Sequence, residues 1–221
     1  MQITRKVDCP KKIVTCWLKD RTKEELLDNT RNSIRICKKA GFKINNMHAD
    51  PEFNCIKEDL EQENEVNNVN MCPAKSRAPI IERCNRAVKE RHRAIFHRLP
   101  CKMWLRAMII RCIGETVMML NAFPPAGGLN PEHSPRMITQ GRGINYEKHC
   151  KIPFGQCVQA AIVKGKTNTP AERSVDAIKL RTLDNVQGGC EILDLNAGKK
   201  RACEEVIPLP VTEDIIKRVE S

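Results

Sequence analysis

Glu82, Arg86, Lys89 and Arg93 stand at i, i+4, i+7 and i+11, a spacing that at 100° per residue keeps all four within about 60° on one face of a helix. A face built only for solubility more often alternates its signs, whereas this one opens on a carboxylate and continues with three cations. Guanidinium and ammonium groups one to three turns apart can hold successive phosphates of a nucleic-acid strand, and the leading carboxylate can ligate a divalent cation. Asp50, in His48-Ala49-Asp50-Pro51, is the second candidate ligand. Two carboxylates alone make a weak Mg²⁺ site, because two-metal phosphoryl transfer holds its ions about 4 Å apart and uses three or more acids to do so. A plainer reading has Asp50 capping the turn that follows it and Glu82 paired with Arg86.

The elements that must position these residues follow from periodicity. Ile13-Val14-Thr15-Cys16-Trp17-Leu18 is an apolar, β-branched run of strand length. Thr22 and Glu25 form a capping box, after which Leu26, Leu27, Ile34 and Cys37 recur at helical spacing up to Gly41. The chain then becomes extended through Phe42, Ile44 and Met47, and Pro51 ends that strand. Asp50 is thereby placed at the C-terminal edge of a strand in a strand, helix, strand unit, where open α/β sheets usually carry their chemistry. A short charged helix over 52–62 and a strand over 65–69 come next. A loop carrying Pro73 and Pro79 leads to a helix over 80–98, broken by Pro100, and to a mostly apolar helix over 103–122.

Pro124-Pro125 and Gly127-Gly128 open a loop-rich linker that runs to about Pro153. From Phe154 onward the texture changes to short strands at 156–163, 174–181, 190–195 and 201–207, separated by turn formers at 167–170, 184–185, 188–189 and 196–198. Four or five such strands suit a small barrel or closed meander. A last helix behind Thr212 places Ile215, Ile216 and Val219 on one side.

Charge separates these regions. The chain has 221 residues and a formal net charge of +11. Residues 1–43 hold twelve basic and five acidic side chains, residues 44–72 one and seven, residues 74–112 eleven and two, and residues 113–221 fourteen and thirteen. The excess is therefore uneven, and its largest share lies in the segment that carries the Glu82 row, directly after the acidic stretch, which points to a polyanion-binding element inside the fold. The length and the 41% hydrophobic content exclude a disordered chain or a peptide scaffold. Aromatics at 4% argue against a module that stacks bases on many rings.

Twelve cysteines are scattered almost evenly and contain no Cys-x-x-Cys pair. With a polar N-terminus instead of a secretory leader, they read as thiols of a reducing compartment, nucleus or cytoplasm, packed mostly as small apolar groups. His48, His92, His97, His133 and His149 do not fall at zinc-ligand spacing. The apolar stretch 103–123 carries Arg106, Arg111 and Glu115, which a plain membrane span would not. Its methionines read as core packing.

The run Pro79-Ile-Ile-Glu82-Arg83-Cys-Asn-Arg86-Ala-Val-Lys89-Glu90-Arg91 resembles the segment that carries the catalytic glutamate in integrases of copia-like retrotransposons. The likeness continues through Leu120-Asn-Ala-Phe-Pro124-Pro-Ala-Gly127-Gly128, Ser134-Pro-Arg136 and Asn145-Tyr-Glu-Lys-His149. It extends to Ile152-Pro-Phe-Gly155-Gln-Cys-Val-Gln159, Asp184-Asn-Val-Gln-Gly188-Gly189 and Ile207-Pro-Leu-Pro-Val-Thr212. It covers the chain from about residue 40 onward and is loose before that. Several spaced blocks in the family's order are more specific than any one motif.

The resemblance implies a fold of the α/β class: a ribonuclease-H-like integrase core, truncated at its N-terminus, followed by a small all-β barrel of the Src-homology type. The partial core would occupy residues 1–123, the linker 124–153, the barrel 154–210 and the C-terminal helix 211–221. In that family two Asp and one Glu hold two Mg²⁺ or Mn²⁺ ions that activate water or a DNA 3′-hydroxyl for attack on a phosphodiester. Asp50 matches the second acid and Glu82 the third. Arg83, Arg86, Lys89 and Arg93 are then the DNA-contacting residues, touching the phosphate backbone without sequence readout. Self-association is implied too, as active integrases of this kind work as multimers. Membrane and small-molecule partners are not expected.

The family's first acid sits a few residues before a stretch matching Val7 to Thr15, and counting back from that match reaches Ile3, which cannot bind metal. Asp8, the nearest carboxylate, is displaced from that position. The family's upstream His/Cys zinc module and downstream polymerase segment are absent from this sequence. The expectation is an integrase fragment that binds DNA and is defective in catalysis. The competing expectation is a domesticated, non-enzymatic interaction module that uses the C-terminal barrel.

Overall fold

The computed structural model describes residues 11–63, 66–72, 79–128, 130–161, 170 and 172–220. Ile3, Asp8, Cys9, Glu65, Pro73, the tail of the strand expected up to Val163 and the turn formers at 167–169 lie outside the described residues. The chain divides into two compact units, one of residues 1–90 with 117–143, the other of residues 91–116 with 144–221.

The first unit is built around two parallel strands joined by a helical crossover, with a longer helix packed against them. Helix α1 (Lys23–Lys39) begins where expected: Thr22 is its N-cap, and its hydroxyl accepts a hydrogen bond from the Glu25 amide. It ends at Ala40, and Gly41 follows at φ +81°, a left-handed conformation that closes the helix at no cost only for glycine. Strand β1 (Asn46–Ala49) then pairs in parallel with β2 (Asn68–Met71), with Met47 opposite Val69. A 3₁₀ turn (Pro51–Ile56) and the short helix α2 (Lys57–Gln62) make the crossover between them. Leu26 and Ile34 of α1 bury against Met47, Ile56, Leu60 and Val69 in one apolar cluster.

The strand expected over Ile13–Leu18 does not form: among the described residues this segment has no strand partner. The backbone of Ile13 is satisfied by a side chain instead. Its N–H donates to the Asn121 Oδ1 at 2.9 Å, and its carbonyl accepts from the Asn121 Nδ2 at 2.8 Å. The second strand lies three residues further along than expected. Helix α3 (Pro79–Arg98) and helix α4 (Arg106–Ala122) occupy the two expected helical stretches, α4 starting three residues late. The stretch read as a linker contains two capped helices, α5 (Pro135–Gln140) and α6 (Tyr146–His149). Ser134 accepts from the Met137 amide and Asn145 from the Lys148 amide, so local capping offsets the high Pro and Gly content.

The second unit is organised by an antiparallel sheet of β3 (Cys157–Ala161), β4 (Ser174–Thr182), β5 (Cys190–Asp194), β6 (Lys200–Cys203) and β7 (Val206–Pro208). Its order is β6-β5-β4-β3-β7: four strands run as a meander and the fifth returns to pair with the first. Helix α7 (Glu213–Glu220) lays Val219, Ile215 and Ile216 against Phe154, Ile178, Leu180 and Leu193, so the apolar side read from the sequence is the packed side. The molecule thus contains both helices and strands, with a five-stranded antiparallel sheet. Among the described residues no helix is long and apolar enough to cross a membrane.

Candidate nucleic-acid interface

Helix α3 separates its residues by period. Ile81, Cys84, Val88, Ile95 and Leu99 just beyond its end are half-buried, and Ile95 and Leu99 join the apolar cluster of the second unit. Glu82, Arg83, Arg86, Lys89 and Arg93 are all exposed. The row inferred from 100° per residue is therefore a solvent-facing row on an unbroken helix. No carboxylate among the described residues comes within ion-pair distance of Arg83, Arg86, Lys89 or Arg93. The Glu82–Arg86 ion pair that would have made the row self-neutralising is not formed. Four cations against the one carboxylate of the row, none of them ion-paired, leave the face positive and available to an external polyanion.

Other charges of the basic segment are already engaged. Arg111 holds Glu191 at 3.0 Å, and Arg98 donates to the Phe154 carbonyl at 3.1 Å. Burial against Trp104, whose ring meets that of His92 edge-on at 6.0 Å, pushes the His92 imidazole below its ordinary value. His92 is thus neutral at pH 7, and the positive charge of α3 comes from arginine and lysine.

Asp50 lies directly after β1, as expected, with its side chain exposed. It occupies the N-cap position of the 3₁₀ turn, and its carbonyl accepts from Phe53, but its carboxylate makes no capping hydrogen bond. The capping role that would have explained Asp50 structurally is absent. Asp50 and Glu82 stand on separate elements of the first unit. Among the described residues, no group of three or more His, Cys, Asp or Glu gathers where a metal ion could be held. Two carboxylates on separate elements fall short of the donor set that a two-metal centre for Mg²⁺ or Mn²⁺ needs.

The sequence reading missed a buried polar network in the second unit. Lys179, 1% exposed on β4, donates to the Glu115 carboxylate of α4 and to the Thr182 hydroxyl at 2.9 Å. The other oxygen of Glu115 accepts from the Thr182 amide at 2.9 Å, and the Thr182 hydroxyl donates to the His149 carbonyl at 2.9 Å. A bulge in the β4–β5 pairing between Lys179 and Arg181 turns both Lys179 and Thr182 inward. One signal was legible: Glu115 is the lone acid inside an apolar helix, and a carboxylate there needs a buried partner.

Five of the cysteines among the described residues are buried: Cys101, Cys112, Cys157, Cys190 and Cys203. All of the described cysteines are free thiols. Burial raises Cys101, Cys157 and Cys203 and pushes Cys112 up to about 12 and Cys190 up to about 11, which keeps them protonated at neutral pH. Neither a family model nor a curated protein matches this chain.

Proposed function

We propose that this chain is a DNA-binding protein of the copia-like integrase type that holds the phosphate backbone through helix α3 and has no strand-transfer activity of its own. The observation that carries the reading is the row of exposed arginine and lysine on α3 that no carboxylate of the described residues neutralises. Two features of the fold support it. A parallel β1–β2 pair with an acid directly after β1, and a further acid on the helix that follows, is the arrangement a ribonuclease-H-like core requires for its second and third acids. A four-stranded meander whose fifth strand returns to the first is the strand order of a small Src-homology-type barrel.

Phosphate contacts position a protein on a duplex without reading its bases. The Arg86→Ala/Lys89→Ala variant should therefore bind duplexes of unrelated sequence more weakly by the same factor, and the slope of log affinity against log salt should shrink by about 2. Fluorescence anisotropy with three unrelated duplexes measures both. Unchanged affinity, or a loss confined to one sequence, would contradict the proposal.

Catalysis is expected to be absent because the position of the first acid falls at Ile3, and losing one of three metal-bridging carboxylates disturbs charge compensation and metal spacing together. In an assay of duplex-end joining into target DNA with Mg²⁺ or Mn²⁺, no product is expected. Joining that disappears in Glu82→Gln would overturn this part of the reading.

A further inference from the structure

Cys190, at the start of β5, and Cys203, at the end of β6, are direct partners in the β5–β6 ladder. Residues opposite each other on antiparallel strands project to the same face. Both thiols indeed belong to one buried cluster with Val158, Ala160, Ala177 and Ile192.

The hairpin also fixes the type of pair. Asp194 N–H donates to the Lys199 carbonyl at 2.9 Å, and hydrogen-bonded pairs alternate from there, through Ile192 and Arg201, to Cys190 and Cys203. The Cα atoms of such a pair lie about 5.5 Å apart, inside the span of about 4.4–6.8 Å that a disulfide bridges. Opposed Cβ atoms in a ladder are about 4.5–5.5 Å apart, against about 3.8 Å in a disulfide, so closing the bond draws the strands together slightly. A bond made at that cost is more easily reduced than a relaxed structural one. In the thiol state the single S–H of Cys203 is shared between the carbonyls of Ala161 at 3.1 Å and Glu205 at 3.0 Å. Cys190, although buried, also lines an open cleft of about 340 Å³ bordered by Lys148, Lys151, Gln187, Glu205 and Ile207.

We propose that Cys190 and Cys203 form a reversible disulfide, a redox-operated clasp that ties the edge strand β6 to β5 and alters the wall of the cleft. The co-reactant is a low-molecular-weight disulfide such as glutathione disulfide. The Cys190 thiolate attacks one of its sulfurs and expels one glutathione thiolate. Cys203 then gives its proton to solvent and its sulfur displaces the second glutathione. Two protein thiols are oxidised and one glutathione disulfide is reduced to two glutathione thiols. Because burial keeps Cys190 protonated, the exchange is slow at neutral pH and should quicken about tenfold per pH unit between about 7 and 9.

The test incubates the full chain at pH 8 in glutathione buffers of graded ratio, quenches with acid, alkylates free thiols, and maps linked peptides by mass spectrometry. A Cys190–Cys203 link is expected, reversed by dithiothreitol and absent in Cys190→Ala and Cys203→Ala. The oxidised wild type should melt a few degrees higher than the reduced form, since the cross-link restricts the unfolded chain. The exposed Cys16 and Cys55 serve as internal controls for access of the oxidant. If they take up glutathione while Cys190 and Cys203 remain thiols, or each carries glutathione without linking, the clasp does not exist.

Discussion

Glu115→Ala is expected to destabilise the sheet-containing unit by about 3–5 kcal/mol, the cost of stranding one charge of a buried ion pair. Lys179 and Glu115 side chains are 2% and 4% exposed, so water does little to screen or replace the interaction. The carboxylate has two donors to serve, the Lys179 ammonium and the Thr182 amide, and alanine abandons both at once. Glu115→Gln should cost less, because its amide oxygen still accepts from Thr182 while only the charge on Lys179 goes uncompensated. The paired variant Glu115→Leu/Lys179→Met removes both charges and should recover part of the loss, the Thr182 amide remaining unsatisfied. Urea unfolding followed by Trp104 fluorescence measures the series, as that ring packs against Phe154 at 5.5 Å inside the same unit. Equal stability of wild type and Glu115→Ala would show that the network contributes nothing.

What the sequence disclosed was whatever depends on near neighbours. The Thr22 N-cap, the Gly41 stop and the face of α3 are set by residues within a few turns of each other, and period and capping rules read them directly, although the Thr22 N–H donates to Asp20 and not to the Glu25 carboxylate that a capping box would use. Asp50 fell at the end of β1 because Pro51 cannot continue a strand. The failures have the opposite character. Ile13–Leu18 has the composition of a strand, but whether a strand forms depends on a partner, and the backbone of Ile13 found the side chain of Asn121 instead. Lys179 went unremarked in the sequence, because the bulge that turns it inward and the Glu115 that receives it are both products of the fold. The helices α5 and α6 were overlooked for another reason: Pro and Gly suggested a linker, while Ser134 and Asn145 were caps in plain view.

For the candidate interface, the same contrast decides how large a salt effect to expect. The sequence offered eleven basic residues between 74 and 112, and six or more phosphate contacts would make affinity fall about a thousandfold or more between 50 and 200 mM salt. The structure removes some of those charges from consideration: Arg111 is held by Glu191, and Arg98 donates to the Phe154 carbonyl. Arg83, Arg86, Lys89 and Arg93 remain on one exposed face of α3. Four contacts give a slope of about −3.6 in log affinity against log salt, hence a fall of about a hundredfold over the same range. A measured slope near −3.6 assigns binding to the α3 row alone. A slope of about −5.4 or steeper brings in at least two further cations, for which the exposed Arg91 and Lys102 are the first to substitute. A flat response would mean that no phosphates are neutralised, and the DNA-binding role of α3 would have to be abandoned.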